Sequence, residues 1–262
     1  MTDAFSISDL VVRYGTHTAV SGVNVQIATG AVTAIVGPNG CGKSTLLRTM
    51  ARLLAPSEGE VRLDGENVQG IAPRRFATRV ALLPQAPVAP DNLTVIDLVA
   101  RGRDPHRRWF DQWSMPDEAI ITRALESTGM TEFADRPLES LSGGQRQRAW
   151  IALALAQQAQ VLLLDEPTTY LDIAHQIEVL DTVTALHAEN GVTVVMVMHD
   201  LSMAARYADH LVAMREGEIV AAGTVDEVVR PDVLREVFGV ECSVIADPES
   251  GRPVVIPGAL VR

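Results

Sequence analysis

Gly37-Pro-Asn-Gly-Cys-Gly-Lys43-Ser44-Thr45 decides the reading of this 262-residue chain. It fits G-x-x-x-x-G-K-[ST], in which glycines let the backbone curl round a phosphate and the lysine opens a helix. Average residue usage yields those four fixed positions by accident in about one chain in a hundred of this size, and the flanks add context. Ala31 to Val36 is a short apolar run, and Leu46, Leu47, Met50, Leu53 and Leu54 recur at helical spacing over Thr45 to Leu54. The expected unit is strand, glycine-rich loop, helix. Its amide N–H groups and helix N-terminus would face an anion, Lys43 would reach the β- and γ-phosphates, and Ser44 would bind Mg²⁺. Nucleotide binding is the function this predicts.

Working outward, residues 5 to 13 and 20 to 28 alternate apolar and polar, with Val20, Val23, Val25 and Ile27 on one face. That pattern predicts antiparallel strands with one buried face. Val80 to Leu83, Val161 to Leu164 and Val192 to Met198 are continuous apolar runs, suited to parallel strands buried on both faces. Helical patterns at 172 to 189 and 200 to 208 separate or follow them, which makes an α/β core. From about 86 to 158 the chain shows helical patterns at about 94 to 101, 116 to 128 and 143 to 158, punctuated by prolines, and no convincing strand. This predicts an inserted α-helical subdomain. Pro248, Pro253 and Pro257 beside short apolar pairs predict a hairpin appendage at the C-terminus.

Val161-Leu-Leu-Leu-Asp165-Glu166 delivers two carboxylates at the C-terminal end of a strand, where ligands sit in open α/β sheets. Asp165 can hold Mg²⁺, directly or through its water shell, and Glu166 can polarise a water for attack on a γ-phosphate. Ser142, Gly143 and Gly144 precede the helical pattern from Gln145, so hydroxyl, amides and helix N-terminus form a second anion site.

Leu141-Ser142-Gly143-Gly144-Gln145 is the signature of one family, and on it the chain resembles an ATP-binding-cassette (ABC) ATPase. Further stations match in order: Tyr14 stands at the adenine-stacking aromatic, Gln85 at the Q-loop glutamine, Glu166 after the Walker B aspartate, Leu171-Asp172 at the D-loop and His199 at the switch histidine. The match runs to about residue 238. The resemblance implies a P-loop NTPase (RecA-like) core with a mixed, largely parallel sheet, an N-terminal antiparallel β-subdomain and the helical insertion. It divides the chain into an ATPase domain over 1–240, with the helical subdomain at about 86–158, and a hairpin over 241–262.

The implied cofactors are ATP and Mg²⁺. ATP would meet Tyr14, the loop residues Gly37, Pro38, Asn39, Gly40, Cys41, Gly42, Lys43, Ser44 and Thr45, and from a second copy Ser142, Gly143, Gly144, Gln145 and Asp172. The implied metal ligands are Ser44, Gln85 and Asp165, and the catalytic set is Glu166, His199, Gln85 and Lys43. Two chains would close head to tail around two ATP and reopen after hydrolysis. The other implied partners are integral-membrane permease subunits and, indirectly, a substrate-binding protein, which places the chain at the cytoplasmic face of the membrane.

Cys41 in the loop, Gly102-Arg-Asp-Pro-His106, Thr168-Thr-Tyr-Leu-Asp-Ile-Ala-His-Gln-Ile177 and Asp247-Pro-Glu-Ser-Gly-Arg-Pro253 resemble the ferric-siderophore importer ATPases, with haem and cobalamin importers as near relatives. Arg101, Arg103, His106, Arg107, Arg108, Trp109 and Trp113 mix cations with aromatics; a protein interface and a solvated basic loop are both open readings. Two other functions compete with the importer motor. A non-transport cassette acting in translation or DNA repair is disfavoured by a single cassette and by net negative charge, and a small-molecule phosphoryl transferase leaves the signature unexplained.

Composition bounds these readings. The chain carries 22 basic and 33 acidic side chains, a net charge of −11, which argues against nucleic acid as the main partner. The longest unbroken apolar run is eight residues, Ala149 to Ala156, against about 20 for a spanning helix. The N-terminal stretch lacks the basic flank and apolar core of an export signal, so a cytoplasmic chain is expected. Cys41 and Cys242 have neither metal spacing nor a disulfide framework and are expected as reduced thiols. Of the 22 basic residues, 21 are arginine and one is lysine, Lys43.

Overall fold

A computed structural model describes residues 3–87, 89–107, 115–169 and 171–261. Along the chain it places β1 (Asp3–Tyr14), β2 (His17–Ala28), β3 (Val32–Val36), α1 (Lys43–Met50), β4 (Glu58–Leu63), β5 (Glu66–Asn67), α2 (Pro73–Ala77), β6 (Val80–Leu83), α3 (Val95–Ala100), α4 (Met115–Ser127), α5 (Gly143–Ala156), β7 (Val161–Asp165) and α6 (Ile173–Asn190). β8 (Thr193–Val197), α7 (Leu201–Tyr207), β9 (His210–Arg215), β10 (Glu218–Thr224), α8 (Val225–Val228), α9 (Pro231–Phe238), β11 (Val240–Ala246) and β12 (Pro253–Leu260) complete it. Contacts divide these elements into two units, Met1–Ile71 with Thr193–Arg262, and Ala72–Val192.

In the first unit β1 pairs antiparallel with β2 and β4, and β5 pairs with β4. Val20, Val23, Val25 and Ile27 are buried, as their alternation predicts. The step of three from Val20 to Val23 breaks strict alternation; Gly22, at φ 61°, lies in that step and the register shifts between Leu10 and Val12. Such an irregularity restores the apolar face to the core. β3 is buried along its whole length and pairs parallel with β8 on one side and β9 on the other. With both faces and both edges covered, it fits the apolar run of a parallel strand, interrupted only by buried Thr33. β10 adds antiparallel to β9. β11 and β12 form a separate antiparallel hairpin, with Asp247 accepting from Ser250 N–H at 3.2 Å in its turn and Arg252 donating to the Ala208 carbonyl at 2.8 Å.

In the second unit β6 and β7 pair parallel in the register Leu83 to Leu164. α3, α4 and α5 enclose an apolar cluster of Val95, Leu98, Val99, Ile121, Leu125, Met130, Leu138, Leu141, Ala149 and Ala152. Among the described residues between 86 and 158 there is no strand, and one isolated bridge joins Thr94 to Pro137. Arg103, 6% exposed, lies against this cluster, pairing with buried Asp117 at 2.8 Å and donating to the Ala156 carbonyl at 2.7 Å.

The helices agree with their sequence patterns to within two residues at each end, except α1. The pattern predicts Thr45 to Leu54; the helix runs Lys43–Met50, and Leu53 is 62% exposed. Arg52 at φ 61° turns the chain out of the helix, so the later leucines are not on its face. β4, β5, α2 and the elements β9, β10, α8 and α9 have no counterpart in the sequence reading. Arg108, Trp109, Trp113 and Tyr170 lie outside the described residues.

Candidate functional site

In the first unit the loop from Gly37 to Gly42 joins the C-terminal end of β3 to α1. Its glycines answer to their surroundings. Gly37 (φ 149°) and Gly42 (φ 104°) take left-handed backbone, and a Cβ on them would lie 2.1 Å from the Met214 carbonyl oxygen and 2.4 Å from that of Ala19. Any side chain there would displace backbone. The loop is tied from outside by the β9–β10 turn, where the Gly217 N–H donates to the Cys41 carbonyl at 3.0 Å. Lys43 is 4% exposed, and its Nζ donates to the carbonyls of Gly37 at 2.8 Å and Pro38 at 2.9 Å. Burial pushes the Cys41 thiol above its ordinary range, partly opposed by the Lys43 ammonium.

The first turn of α1 differs from the other helix starts that bear predicted site residues. Gly42, in left-handed conformation, precedes it and supplies no side-chain cap. α5, α6 and α7 instead open on Ser142, Asp172 and Asp200, each accepting from the backbone N–H three residues on. A helix start with no side-chain cap leaves its amides for an anion. On the neighbouring strand, β8 runs parallel to β3 with Val197 opposite Ile35, so exposed His199 follows at the same end as Gly37. Tyr14, 48% exposed, ends β1.

In the second unit the parallel register of β6 and β7 carries Gln85 and Glu166 past the same strand end, and Gln85 Nε2 donates to Glu166 Oε2. Thr169 Oγ1 donates to the same oxygen at 3.0 Å. Glu166 has left-handed backbone, φ 55°, a strained conformation of the kind kept at functional turns. Asp165, ending β7, is 1% exposed. At the start of α5, Ser142 and Gln145 form a reciprocal capping box: Ser142 Oγ accepts from Gln145 N–H at 3.3 Å, and Gln145 Oε1 accepts from Ser142 N–H at 3.0 Å. Since that hydroxyl accepts here, its own O–H can still donate.

The profile of the ABC transporter family matches residues 20–169. The chain belongs to that family. The ferric enterobactin transport ATP-binding protein FepC of Escherichia coli (strain K12) is 50% identical over 248 residues, 95% of this chain and 92% of its own length. The petrobactin import ATP-binding protein FpuD of Bacillus anthracis is 49% identical over 257 residues, covering 98% of this chain and 94% of its own. Among solved structures, the dimeric bacterial ABC transporter cassette MJ0796 superposes with a TM-score of 0.76 at 27% identity, over 84% of this chain and 98% of that one. The α/β P-loop fold expected from the sequence is the fold of this ABC protein.

Several residues of this ABC chain that shape the site escaped sequence reasoning. Thr169 lies inside the phrase that marks the importer branch, yet its contact with Glu166 depends on a turn the sequence does not spell out. His175 Nδ1 lies 2.7 Å from Asp172 Oδ1, and the three-residue spacing from a helix N-cap was a legible signal for it. Neither an interface nor a solvated basic loop describes Arg103, which the structure buries, whereas His106 Nε2 lies 2.7 Å from the Gln157 carbonyl at the end of α5. Among the described residues no helix is long and apolar enough to cross a membrane.

Proposed function

We propose that this chain is the ATP-binding and ATP-hydrolysing subunit of an importer for ferric siderophores, working as a head-to-tail dimer around two ATP beneath a separate membrane permease. The carrying observation is the phosphate loop: α1 opens on a glycine-built loop without a side-chain cap, with Lys43 buried at its first position and its Nζ on the Gly37 and Pro38 carbonyls. In this reading residues 1–240 are the ATPase domain, with its helical part at about 86–158, and 241–262 are an appended hairpin.

ATP lies with its phosphates on the amides of Gly37 to Thr45 and Lys43, and its adenine on Tyr14. Ser142, Gly143, Gly144 and Gln145 of the partner copy, with its Asp172, close on the γ-phosphate. Glu166 takes a proton from water as the water oxygen attacks the γ-phosphorus; the bond to the bridging oxygen breaks, giving ADP and phosphate. Gln85 and Thr169 orient the carboxylate that does this, and His199 holds the γ-phosphate side. Hydrolysis leaves like-charged products in the interface, which favours the open state.

The oxygen set suits Mg²⁺. A hydroxyl, one carboxylate and substrate phosphates can share a cation that keeps several waters. Ser44, Asp165 and Gln85 would hold it, and it would neutralise charge on the β- and γ-phosphates.

The cargo class is supported by relatives at 49–50% identity named for ferric enterobactin and petrobactin. The deciding experiment deletes the gene and grows the strain on individual ferric siderophores, haem and cobalamin, while the tagged protein is tested for co-purification of an integral-membrane subunit. Failure on one ferric siderophore with recovery of a permease is the expected result. Normal growth on every ferric siderophore, or failure on haem or cobalamin alone, overturns the cargo.

A further inference from the structure

Asp172 caps α6, its Oδ1 accepting from the His175 backbone N–H at 3.0 Å. The same oxygen lies 2.7 Å from His175 Nδ1, so the imidazole is held back over the first turn of its own helix. These two hydrogen bonds, backbone first, keep the Asp172 carboxyl below its ordinary range and therefore anionic. The ring's carbon edge meets a different helix. A Cβ built on Gly144 would fall 2.6 Å from His175 Cδ2 and 3.0 Å from Cγ. The imidazole fills the place where a side chain on the second signature glycine would stand.

One side chain therefore touches two functional loops of the second unit: by nitrogen the aspartate that opens α6, by carbon the turn that opens α5. We propose that His175 is a positioning residue that locks the Ser142–Gly144 turn to Asp172, so that both meet the partner copy as one surface. Glycine gives that turn backbone freedom, and productive closure on a phosphate needs placement to about 0.5 Å. The imidazole removes the freedom without occupying the anion site. The importer-branch phrase Thr168 to Ile177 thereby acquires a structural role at its histidine.

This inference rests on the shared-site reading above, and the test separates the two. Full-length protein and the variants His175→Ala, His175→Asn and His175→Phe are compared for affinity toward a fluorescent ATP analogue, for kcat and KM with ATP, and, in a Glu166→Gln background, for ATP-dependent dimerisation by sedimentation. A misplacement of about 1 Å costs up to about 10²-fold in rate, so His175→Ala should lose about tenfold or more in kcat and dimerise only at higher concentration. Analogue affinity should stay within about twofold, because the P-loop is intact. Asn keeps a polar partner for Asp172 and Phe keeps a ring over Gly144, so each should recover part of the loss. Unchanged kcat in His175→Ala, or a fall in analogue affinity as large as that in kcat, overturns the inference. If the unaltered chain neither hydrolyses ATP nor dimerises with it, the functional reading falls and takes the inference with it.

Discussion

Lys43→Arg asks whether the phosphate loop needs a positive charge or an ammonium. In the structure Nζ donates to two carbonyls, at 2.8 and 2.9 Å, from a side chain 4% exposed, with the Cys41 sulfur 4.0 Å away. A guanidinium carries its donors in a wide planar fork and cannot converge on that point. Two charge-assisted hydrogen bonds worth about 1.5–3 kcal/mol each are then lost or distorted. In catalysis the closest analogy is the removal of one preorganised donor from developing charge, which costs about 10²–10³ in rate, or about 2.7–4 kcal/mol. Lys43→Arg should therefore reduce kcat/KM for ATP by about 10²–10³, nearly as far as Lys43→Ala. Steady-state phosphate release measures it, and thermal unfolding of the variant checks that the chain still folds. The reasoning is refuted if Arg at 43 keeps activity within about threefold of the unaltered protein while Ala does not, since charge alone would then suffice.

Glu166→Gln should retain ATP binding, slow hydrolysis by about 10²–10⁴-fold and accumulate an ATP-bound dimer in gel filtration; an undiminished rate removes Glu166 as the base. Mixed dimers of Lys43→Ala and Ser142→Arg chains keep one composite site intact, so mixing should restore hydrolysis that neither mutant homodimer shows, and no restoration argues against shared sites. Arg103→Met removes one partner of a buried pair and should destabilise the second unit by about 3 kcal/mol in urea unfolding, the low end for such a break. Replacing Asp117 by Leu as well should return most of that stability; a double variant as weak as the single one would show that the Arg103 hydrogen bonds to the Ala156 carbonyl and the Gln158 side chain, rather than the charge pair, matter.

What was legible in the sequence follows from where each signal is encoded. β7 is a continuous apolar run up to Asp165, and β3 is apolar but for buried Thr33, because both faces of each are covered, so a local pattern sufficed. The glycine loop was legible because its motif is contiguous, although what rejects a side chain at Gly37 and Gly42 is backbone distant in sequence, the carbonyls of Met214 and Ala19. β9 was missed although Leu211, Val212, Ala213 and Met214 form a buried apolar run; β10 has no fully buried position to mark a face, and α8 and α9, at four and eight residues, are too short for a helical period to stand out. α1 was read too long: Leu53 keeps helical spacing, but the chain leaves the helix at Arg52 and the spacing becomes coincidence. Arg103 shows the limit most clearly. Charge predicts exposure, and only the fold reveals a buried carboxylate 14 positions on that reverses it.

The two predicted anion sites are built differently, and the difference bears on the order of events. At the start of α1 the N-cap Gly42 supplies no side-chain cap, so a single copy already presents the phosphate loop with Lys43 at its first helical position. The start of α5 is satisfied within the chain by the Ser142–Gln145 capping box, which occupies the Gln145 amide and fixes the Ser142 oxygen as an acceptor. What remains there for a γ-phosphate is the Ser142 O–H and the amides of Gly143 and Gly144, a smaller set whose worth depends on placement. Nucleotide affinity should accordingly belong to the single chain and closure to the pair. Substitutions at Lys43 and at His175 should then part company: the first removes binding and hydrolysis together, the second leaves binding and removes turnover. Equal effects of the two on analogue affinity would show that the signature turn helps form the site before any second copy arrives.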